Sequence, residues 1–269
     1  DEVLDLEFVN VKAITDCKFK VVIDAVNSTG GIAIPLLLER LGVEAIKIHC
    51  EPNGQFPHNP EPLKQHLTDL SEKVVSSHAD FGIAVDPDVD RLAFMDEKGV
   101  MFGEEYTLVA CADYVLSQRP GNTVSNLSST RALRDVTEKH GGTYTASPVG
   151  EVNVVNAMKA TNAVIGGEGN GGIIFPESHY GRDALVGVAL FLSLLAERKI
   201  AVSALRASYP SYFMSKKKID LNPSIDVDAI LDAMEAKYAH EQISTIDGVK
   251  IDFPTEWVHL RKSNTEPII

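Results

Sequence analysis

Short apolar runs alternate with segments of helical spacing through the first two hundred residues, and this alternation limits the folds that the chain can adopt. Val21 to Ile23 is one such run, and the helical spacing of Ile32 to Leu41 follows it and stops at Gly42. The same order recurs, with strand-like runs at 44–49, 81–85, 92–95, 123–127, 143–146 and 163–165, a loop and helix within 60–77, and helical patterns at 104–118, 130–140, 151–159 and 183–198. Strands that alternate with helices predict an α/β protein with mainly parallel sheets.

The alternation runs twice, which predicts two consecutive α/β units with mainly parallel mixed sheets. Residues 119–122 (Arg-Pro-Gly-Asn) interrupt the pattern, so we place the first unit at 1–119 and the second at 120–212. After Tyr212 a helical pattern at 226–240 is followed by strand-like runs at 249–253 and 257–260. Residues 213–269 are too few for another complete core, so we expect them to be the start of a truncated α+β domain.

Charge and cysteine usage exclude several classes of function. Acidic residues outnumber basic ones by 38 to 25, for a net charge of −13, whereas nucleic-acid binding needs a basic face. No apolar run reaches the roughly 20 residues that cross a bilayer, so no membrane partner is expected. Cys17, Cys50 and Cys111 form neither a metal motif nor a disulfide framework, which predicts a reducing, cytoplasmic location.

Three carboxylates, Asp86, Asp88 and Asp90, alternate directly after the apolar run at 81–85. Carboxylates this close repel one another unless a cation lies between them, and hard oxygen ligands suit Mg²⁺. Arg91, the next residue, can offset excess negative charge or bind a phosphate through two N–H groups. A polar turn after a strand is the alternative interpretation, because so short a motif also occurs by chance.

A second polar loop, residues 166–172 (Gly-Gly-Glu-Gly-Asn-Gly-Gly), follows the run at 163–165. Its glycines allow a ligand to approach the backbone closely, and Glu168 and Asn170 are candidates to bind sugar hydroxyls. The loop is neither a Walker A motif nor a dinucleotide fingerprint. His179 and Arg182 follow soon after and are candidates to contact the same ligand. A structural glycine turn is the alternative.

A third polar segment, residues 261–267 (Arg-Lys-Ser-Asn-Thr-Glu-Pro), lies near the end of the sequence. Backbone N–H groups in such a turn form a nest for anions, and the side chains of Arg261, Ser263, Asn264 and Thr265 add donors. Phosphate binding is therefore predicted, with a plain polar turn as the alternative.

In this order, the three loops resemble those of the α-D-phosphohexomutase family, which includes phosphomannomutase, phosphoglucomutase and phosphoglucosamine mutase. Residues 86–91 resemble its magnesium loop, residues 167–171 its sugar-recognition loop, and residues 261–267 the phosphate-binding loop of its last domain. Residues 55–62 (Gln-Phe-Pro-His-Asn-Pro-Glu-Pro) resemble a signature of its second domain. Asn170 departs from the family pattern, which usually has serine there.

The resemblance implies a four-domain enzyme of which this chain contains the second domain, the third and the start of the fourth. Such an enzyme moves a phosphoryl group between C1 and C6 of a hexose phosphate through a phosphoserine and a bisphosphate intermediate. Mannose, glucose and glucosamine phosphates are the implied substrates. Asp86, Asp88 and Asp90 would hold Mg²⁺ with Arg91 in support, while the second and third loops would bind the sugar and its phosphate.

The phosphoserine loop of the family continues with His-Asn-Pro, but here Pro57 rather than serine precedes that tripeptide. We therefore expect this chain to be inactive as a mutase when it is alone. The general acid and base are also unassigned, with Glu151 as one candidate. Two alternatives remain open: a non-catalytic module that binds sugar phosphate and Mg²⁺, and a phosphatase in which Asp86 is the nucleophile.

Overall fold

The first unit is built on a four-stranded sheet in the computed structural model, which describes residues 2–219 and 226–262. Its strands are β1 (Lys20–Asp24), β2 (Glu44–Ile48), β3 (Phe81–Val85) and β4 (Leu92–Met95), in the order β2-β1-β3-β4. Strand β1 is parallel to β2 and β3, whereas β4 is antiparallel to β3. The helices of this part of the chain are α1 (Val11–Cys17), α2 (Gly30–Arg40), α3 (Thr68–Ser77) and α4 (Glu104–Gln118).

The second unit repeats this sheet. Its strands are β5 (Asn122–Asn126), β6 (Tyr144–Ser147), β7 (Ala163–Gly167) and β8 (Ile173–Ile174), in the order β6-β5-β7-β8. Strand β5 is parallel to β6 and β7, and β8 is antiparallel to β7. Its helices are α5 (Ala132–Lys139), α6 (Glu151–Thr161) and α7 (Ala184–Arg198). The prediction of an α/β fold with mainly parallel mixed sheets is confirmed.

Each sheet has a topological switch point, because the two strands that follow its first strand in the chain pair with that strand on opposite sides. Ligands of open α/β sheets bind beyond the carboxyl ends of the strands at this point. In the first sheet it lies between β1, which ends at Asp24, and β3, which Asp86 follows. In the second it lies between β5, which ends at Asn126, and β7, which Glu168 follows. Polar side chains therefore mark both switch points.

Helices α4 and α7 lie between the two sheets and are buried along most of their length. This is expected for helices that are apolar around most of their circumference. Helix α4 contacts β4 and β7, and α7 contacts β4 and β8. The ring of Phe191 on α7 stacks on Phe94 with centroids 3.8 Å apart and meets Phe81 and Phe102 edge to face. This aromatic cluster packs α7 against the first sheet.

The last described part contains α8 (Val202–Ala207), α9 (Val227–Lys237) and an antiparallel sheet of β9 (Gln242–Ser244), β10 (Val249–Asp252) and β11 (Trp257–Leu260). The guanidinium of Arg131, in the second unit, donates to Asp252 and to the carbonyl oxygens of Phe253 and Glu256. The turn between β10 and β11 is thereby fixed against the second unit.

Among the α-helices and strands of the described residues, four short ones were not predicted: α1, α8, β8 and β9. Helices α1 and α8 have seven and six residues, too few for a clear helical period. Strand β8 has two residues, whose pairing with β7 defines it. Within the described ranges, the chain forms no helix of the length and apolar character needed to cross a membrane.

Candidate active site

Asp86, the first residue of the loop after β3, closes this loop by accepting backbone hydrogen bonds from its end. Oδ1 of Asp86 accepts hydrogen bonds from the backbone N–H groups of Asp90 and Arg91 at 3.1 and 3.0 Å. Val89 has a φ of 64°, an unusual value for a β-branched residue and one often found at functional sites. The turn brings a carboxylate oxygen from each of Asp86, Asp88 and Asp90 within 4.8 Å of the others. The three acids thus form one cluster.

The electrostatics of this acidic cluster favour a bound cation. Asp86 is only 6% exposed, and burial together with the neighbouring Asp90 and Asp88 carboxylates raises its pKa to about 7, although the Arg91 backbone N–H acts in the opposite direction. Oδ1 of Asp90 is buried and accepts no hydrogen bond from any residue in the described ranges. A small, hard divalent cation fits these residues, because it would give that oxygen a partner and offset the repulsion between the acids.

Arg91 lies beside the acidic cluster. Its Nε is 3.6 Å from Oδ2 of Asp86 and 3.9 Å from Oδ1 of Asp90, and its Nη1 is 3.4 Å from Oε1 of Glu61. The guanidinium offsets part of the negative charge of the acids. Because the side chain is about one third exposed, it also presents donors to an anion from solvent.

The second polar loop holds a buried carboxylate at the end of β7. Oε1 of Glu168 accepts hydrogen bonds from Nδ2 of Asn126 at 3.0 Å and from the backbone N–H of Gly150 at 3.3 Å. Asn170, two residues further on, accepts a hydrogen bond from the Gly172 N–H through its own Oδ1 at 3.2 Å. Glu168 is thus fixed by neighbouring donors, and Asn170 stabilises the turn that follows it.

Arg182 joins the acidic cluster to the second loop. Its Nη1 donates to Oε2 of Glu168 at 3.0 Å, and its Nη2 donates to Oδ2 of Asp90. Its Nε lies 3.3 Å from Oε2 of Glu151, whose other oxygen accepts the Arg182 backbone N–H at 3.1 Å. One guanidinium, 14% exposed, therefore contacts three acids from three different segments.

The two loops are also joined through their backbones. The Leu92 N–H donates to the carbonyl oxygen of Gly171 at 3.1 Å, and the Ala184 N–H donates to that of Val89 at 3.1 Å. Gly171 has a φ of 91°, and a Cβ on it would lie 2.3 Å from the Leu92 carbonyl oxygen. A side chain at this position would separate the loops, so the glycine is required for their contact.

His179 lies at the edge of this arrangement. Its Nε2 is 3.0 Å from Oδ2 of Asp183, and half of its side chain is exposed. Asp183 uses its other oxygen to cap α7, accepting the N–H groups of Leu185 and Val186. The structure thus brings Arg182 into contact with both loops, whereas His179 pairs with the cap of α7.

The third predicted site segment is only partly described. Nε of Arg261 donates to Oδ2 of Asp247 at 3.1 Å, and the same oxygen accepts the backbone N–H of Val149 at 2.9 Å. Ser263, Asn264 and Thr265 lie outside the described residues. Arg261 is therefore held next to the segment that leads into α6, close to the donor Gly150 that contacts Glu168.

Sequence reasoning did not identify Asn126 or Glu105 as part of the site. Asn126 carried a usable signal, because a polar residue at the end of a predicted parallel strand lies at the ligand edge of the sheet. Nothing in the sequence distinguished Glu105, because it lies within the helical pattern at 104–118. Its carboxylate accepts the Thr130 N–H at 3.0 Å and lies beneath the second loop, where a Cβ on Gly169 would be 2.6 Å from Oε1.

Replacing Glu105 with glutamine is expected to stabilise the protein at pH 8 but not at pH 5. Burial raises the pKa of Glu105 to about 7, against an ordinary value of 4.5. The folded state therefore holds this proton more tightly than the unfolded state, and stability falls as the pH rises through that interval. Glutamine keeps an acceptor for Thr130 without the charge, so we expect a gain of about 1 kcal/mol at pH 8.

Urea unfolding at the two pH values measures this difference. Glu138→Gln is the matched control, because Glu138 is exposed on α5 and its removal should change stability by less than about 0.5 kcal/mol. An equal gain at pH 5 and pH 8 for Glu105→Gln would show that the buried charge is not its cause.

Comparison with known proteins assigns the chain to one family. Residues 1–99 match the family model of phosphoglucomutase/phosphomannomutase, alpha/beta/alpha domain II, and residues 95–212 match that of domain III. The chain is 35% identical to a phosphoglucomutase/phosphomannomutase of Thermococcus kodakarensis, over 97% of this chain and 58% of that protein. It is 32% identical to a probable phosphoglucosamine mutase of Methanopyrus kandleri, over 93% of this chain and 56% of that protein.

A solved structure shows the same relationship. The phosphoglucomutase/phosphomannomutase family protein of Burkholderia thailandensis has a TM-score of 0.83 to this chain and 30% identity, over 96% of this chain and 57% of that one. The chain thus spans a little over half the length of the relatives that it matches. Because the two family models together cover residues 1–212 and the solved relative shares the fold, the chain belongs to the α-D-phosphohexomutase family.

Proposed function

We propose that this chain is the metal- and sugar-binding part of a phosphohexomutase, which moves a phosphoryl group between C1 and C6 of a hexose phosphate. The observation that carries the proposal is the pair of contacts from Arg182 to Asp90 and Glu168. These contacts support the proposal, because one guanidinium joins the acidic cluster to the second loop and a reaction on a phosphosugar requires both. The names of the relatives support glucose, mannose or glucosamine phosphate as the substrate class.

Asp86, Asp88 and Asp90 are the residues that would hold Mg²⁺. When bound, the ion supplies positive charge against the negative charge of the transferred phosphoryl group. Oδ1 of Asp86 already accepts two backbone N–H groups, which leaves Oδ2 as its ligand atom. This use of Asp86 in closing the loop also favours a metal ligand over an attacking nucleophile, since a nucleophile needs a free path to phosphorus.

Glu168 and Asn170 are proposed to bind adjacent sugar hydroxyls. The Glu168 carboxylate is held by Asn126, Gly150 and Arg182, so it needs little reorganisation when a sugar arrives. Asn170 offers both a donor and an acceptor, as a hydroxyl does. Such a pair can bind O3 and O4 in either orientation of the sugar, which a mutase needs because both ends of its substrate react.

The remaining parts of the proposal concern the phosphate and its transfer. Arg261, Ser263, Asn264 and Thr265 would bind the phosphate that does not react, with His179 and Arg91 at the edges of the site. The phosphoserine and the bisphosphate intermediate are proposed from the family resemblance. The division at 1–119, 120–212 and 213–269 and a cytoplasmic location remain predictions.

Binding of hexose phosphates tests this proposal on the chain itself. We expect Glu168→Gln to weaken the binding of glucose 1-phosphate by roughly 10- to 100-fold in the presence of Mg²⁺, because a hydrogen bond to a charged group contributes about 1.5–3 kcal/mol. Isothermal titration calorimetry measures the dissociation constant, and Glu138→Gln serves as the exposed control. Equal affinities for the wild type and Glu168→Gln, with each hexose phosphate tried, would contradict the proposed sugar site.

A further inference from the structure

A second cluster of potential metal ligands lies at the switch point of the first sheet, outside the acidic cluster. Asp24, His49 and His58 each present one ligand atom, and the three atoms lie within 4.8 Å of one another. Asp24 ends β1, and His49 directly follows β2, whose last residue is the register partner of Asp24. His58 is contributed by the loop that follows β2. The cluster thus combines two imidazoles with one carboxylate.

In neutral His58, the hydrogen bond of Nδ1 uses the one ring proton and leaves none for Nε2, which faces Asp24. Nδ1 lies 2.8 Å from the carbonyl oxygen of Asn59, which can only accept, so Nδ1 carries the ring proton. In the neutral imidazole, Nε2 then carries a lone pair, and this nitrogen lies 3.0 Å from Oδ2 of Asp24. Two lone pairs at this distance repel each other, so the arrangement requires a positive charge between them. That charge is either an additional proton or a metal ion.

His49 repeats this arrangement. Its Nε2 is 3.0 Å from Oδ2 of Asp69, an exposed carboxylate that accepts its proton and leaves Nδ1 as the unprotonated nitrogen. Histidines that bind metals typically donate their other N–H to a carboxylate or a carbonyl oxygen in this way, which fixes the tautomer. Both kinds of partner are present here, Asp69 for His49 and the Asn59 carbonyl for His58.

The surrounding backbone holds these groups in place. Asp24 is 1% exposed, and its Oδ1 accepts the Val26 N–H at 3.0 Å, which leaves Oδ2 for the cluster. Asn27 anchors the loop that carries His58, because its side chain donates to the Gln55 carbonyl oxygen and accepts the Glu51 N–H. The histidine side chains are 22% and 16% exposed, so solvent can reach the cluster.

We propose that Asp24, His49 and His58 form a binding site for a divalent transition metal of the Zn²⁺ type, with solvent completing the coordination. Two imidazoles and a carboxylate are a donor set that Zn²⁺ favours and that Mg²⁺ does not. The thiol of nearby Cys50 is not a ligand, because its Sγ donates to the Ile48 carbonyl oxygen at 3.1 Å. The metal fastens the 49–62 loop, whose Glu61 reaches Arg91, to the end of β1.

Zinc titration of the metal-free protein, with Mg²⁺ present in excess to occupy the acidic cluster, tests this proposal. We expect one Zn²⁺ per chain, at least 100-fold weaker binding in His49→Gln and His58→Gln, and roughly tenfold weaker binding in Asp69→Asn, which removes only the partner of His49. Asp88→Asn and the exposed His240→Gln should bind Zn²⁺ as the wild type does. Binding that is unchanged in both cluster-histidine variants, or lost only in Asp88→Asn, would overturn the proposal.

A second measurement needs no variant. Crystals of the wild-type protein soaked in Zn²⁺ should give an anomalous peak between Oδ2 of Asp24 and Nε2 of His58. If the peak is confined to Asp86, Asp88 and Asp90, or if there is none, the charge between the two groups is a proton and the site is an ion pair.

Discussion

Replacing Arg182 with alanine is expected to lower the free energy of unfolding by about 3 kcal/mol, because it leaves the buried Glu168 carboxylate and the partly buried Asp90 carboxylate without their shared cation. Glu168 and Asp90 lose a donor each, and the Glu151 side chain loses its neighbour at 3.3 Å. Hexose phosphate binding should fall as well, since Glu168 loses one of its three positioning donors. Urea unfolding and calorimetric titration with glucose 1-phosphate measure the two effects.

Two further variants separate this network from an ordinary surface charge. Arg134→Ala is the matched control, because Arg134 is more exposed and its ion pair with Asp135 spans 3.9 Å, so its loss should change stability by less than about 0.5 kcal/mol. In a double-mutant cycle, Arg182→Ala and Glu168→Gln should be coupled by at least about 1 kcal/mol. Additive effects of the two substitutions would show that the guanidinium does not join the two loops energetically.

Asp86→Asn is expected to weaken Mg²⁺ binding by roughly 100-fold while preserving the fold of the metal-free protein. Asparagine keeps the oxygen that accepts the Asp90 and Arg91 N–H groups, so the loop stays closed. It also removes one of three mutually repelling charges, which should leave the unfolding temperature in EDTA equal to or above that of the wild type. The rise in unfolding temperature on adding Mg²⁺ should largely disappear.

Calorimetric titration with MgCl₂ and thermal unfolding with and without EDTA measure these quantities. Asp16→Asn is the control, because Asp16 is exposed on α1 and changes the net charge equally. If Asp86→Asn binds Mg²⁺ as tightly as Asp16→Asn, the acidic cluster is not the magnesium site.

Most of the fold could be predicted because it follows from local periodicity. Buried parallel strands such as β3, which is buried at all five positions, read as continuous apolar runs, and α7 reads as a long apolar helix. The identical strand orders of the two sheets follow from the same repeated pattern. Short elements such as α1 escaped prediction because tertiary contacts, here the Asn10 N–H to the Ser193 hydroxyl, fix them more than their sequence does.

The site was less predictable, because its key contacts join residues that are distant in sequence. The three acids of the 86–91 loop could be proposed together, since one short turn carries them all. The bridge from Arg182 to Asp90 spans 92 positions and depends on how the two units pack, so the sequence indicated Arg182 only as a candidate ligand contact. Asp24 and His58 are 34 positions apart, and their contact could not be predicted without the parallel pairing of β1 and β2.

The proposed function requires that the joined loops bind a hexose phosphate for phosphoryl transfer within the sugar. The most direct test is ³¹P NMR of the full-length protein with glucose 1-phosphate, Mg²⁺ and a trace of the bisphosphate, repeated with the mannose and glucosamine phosphates. We expect the 1-phosphate signal to be replaced by that of the 6-phosphate for at least one sugar, without release of inorganic phosphate. Accumulation of inorganic phosphate would indicate a phosphatase, and unchanged spectra for all three sugars would indicate a binding module; either result would contradict the proposed mutase function.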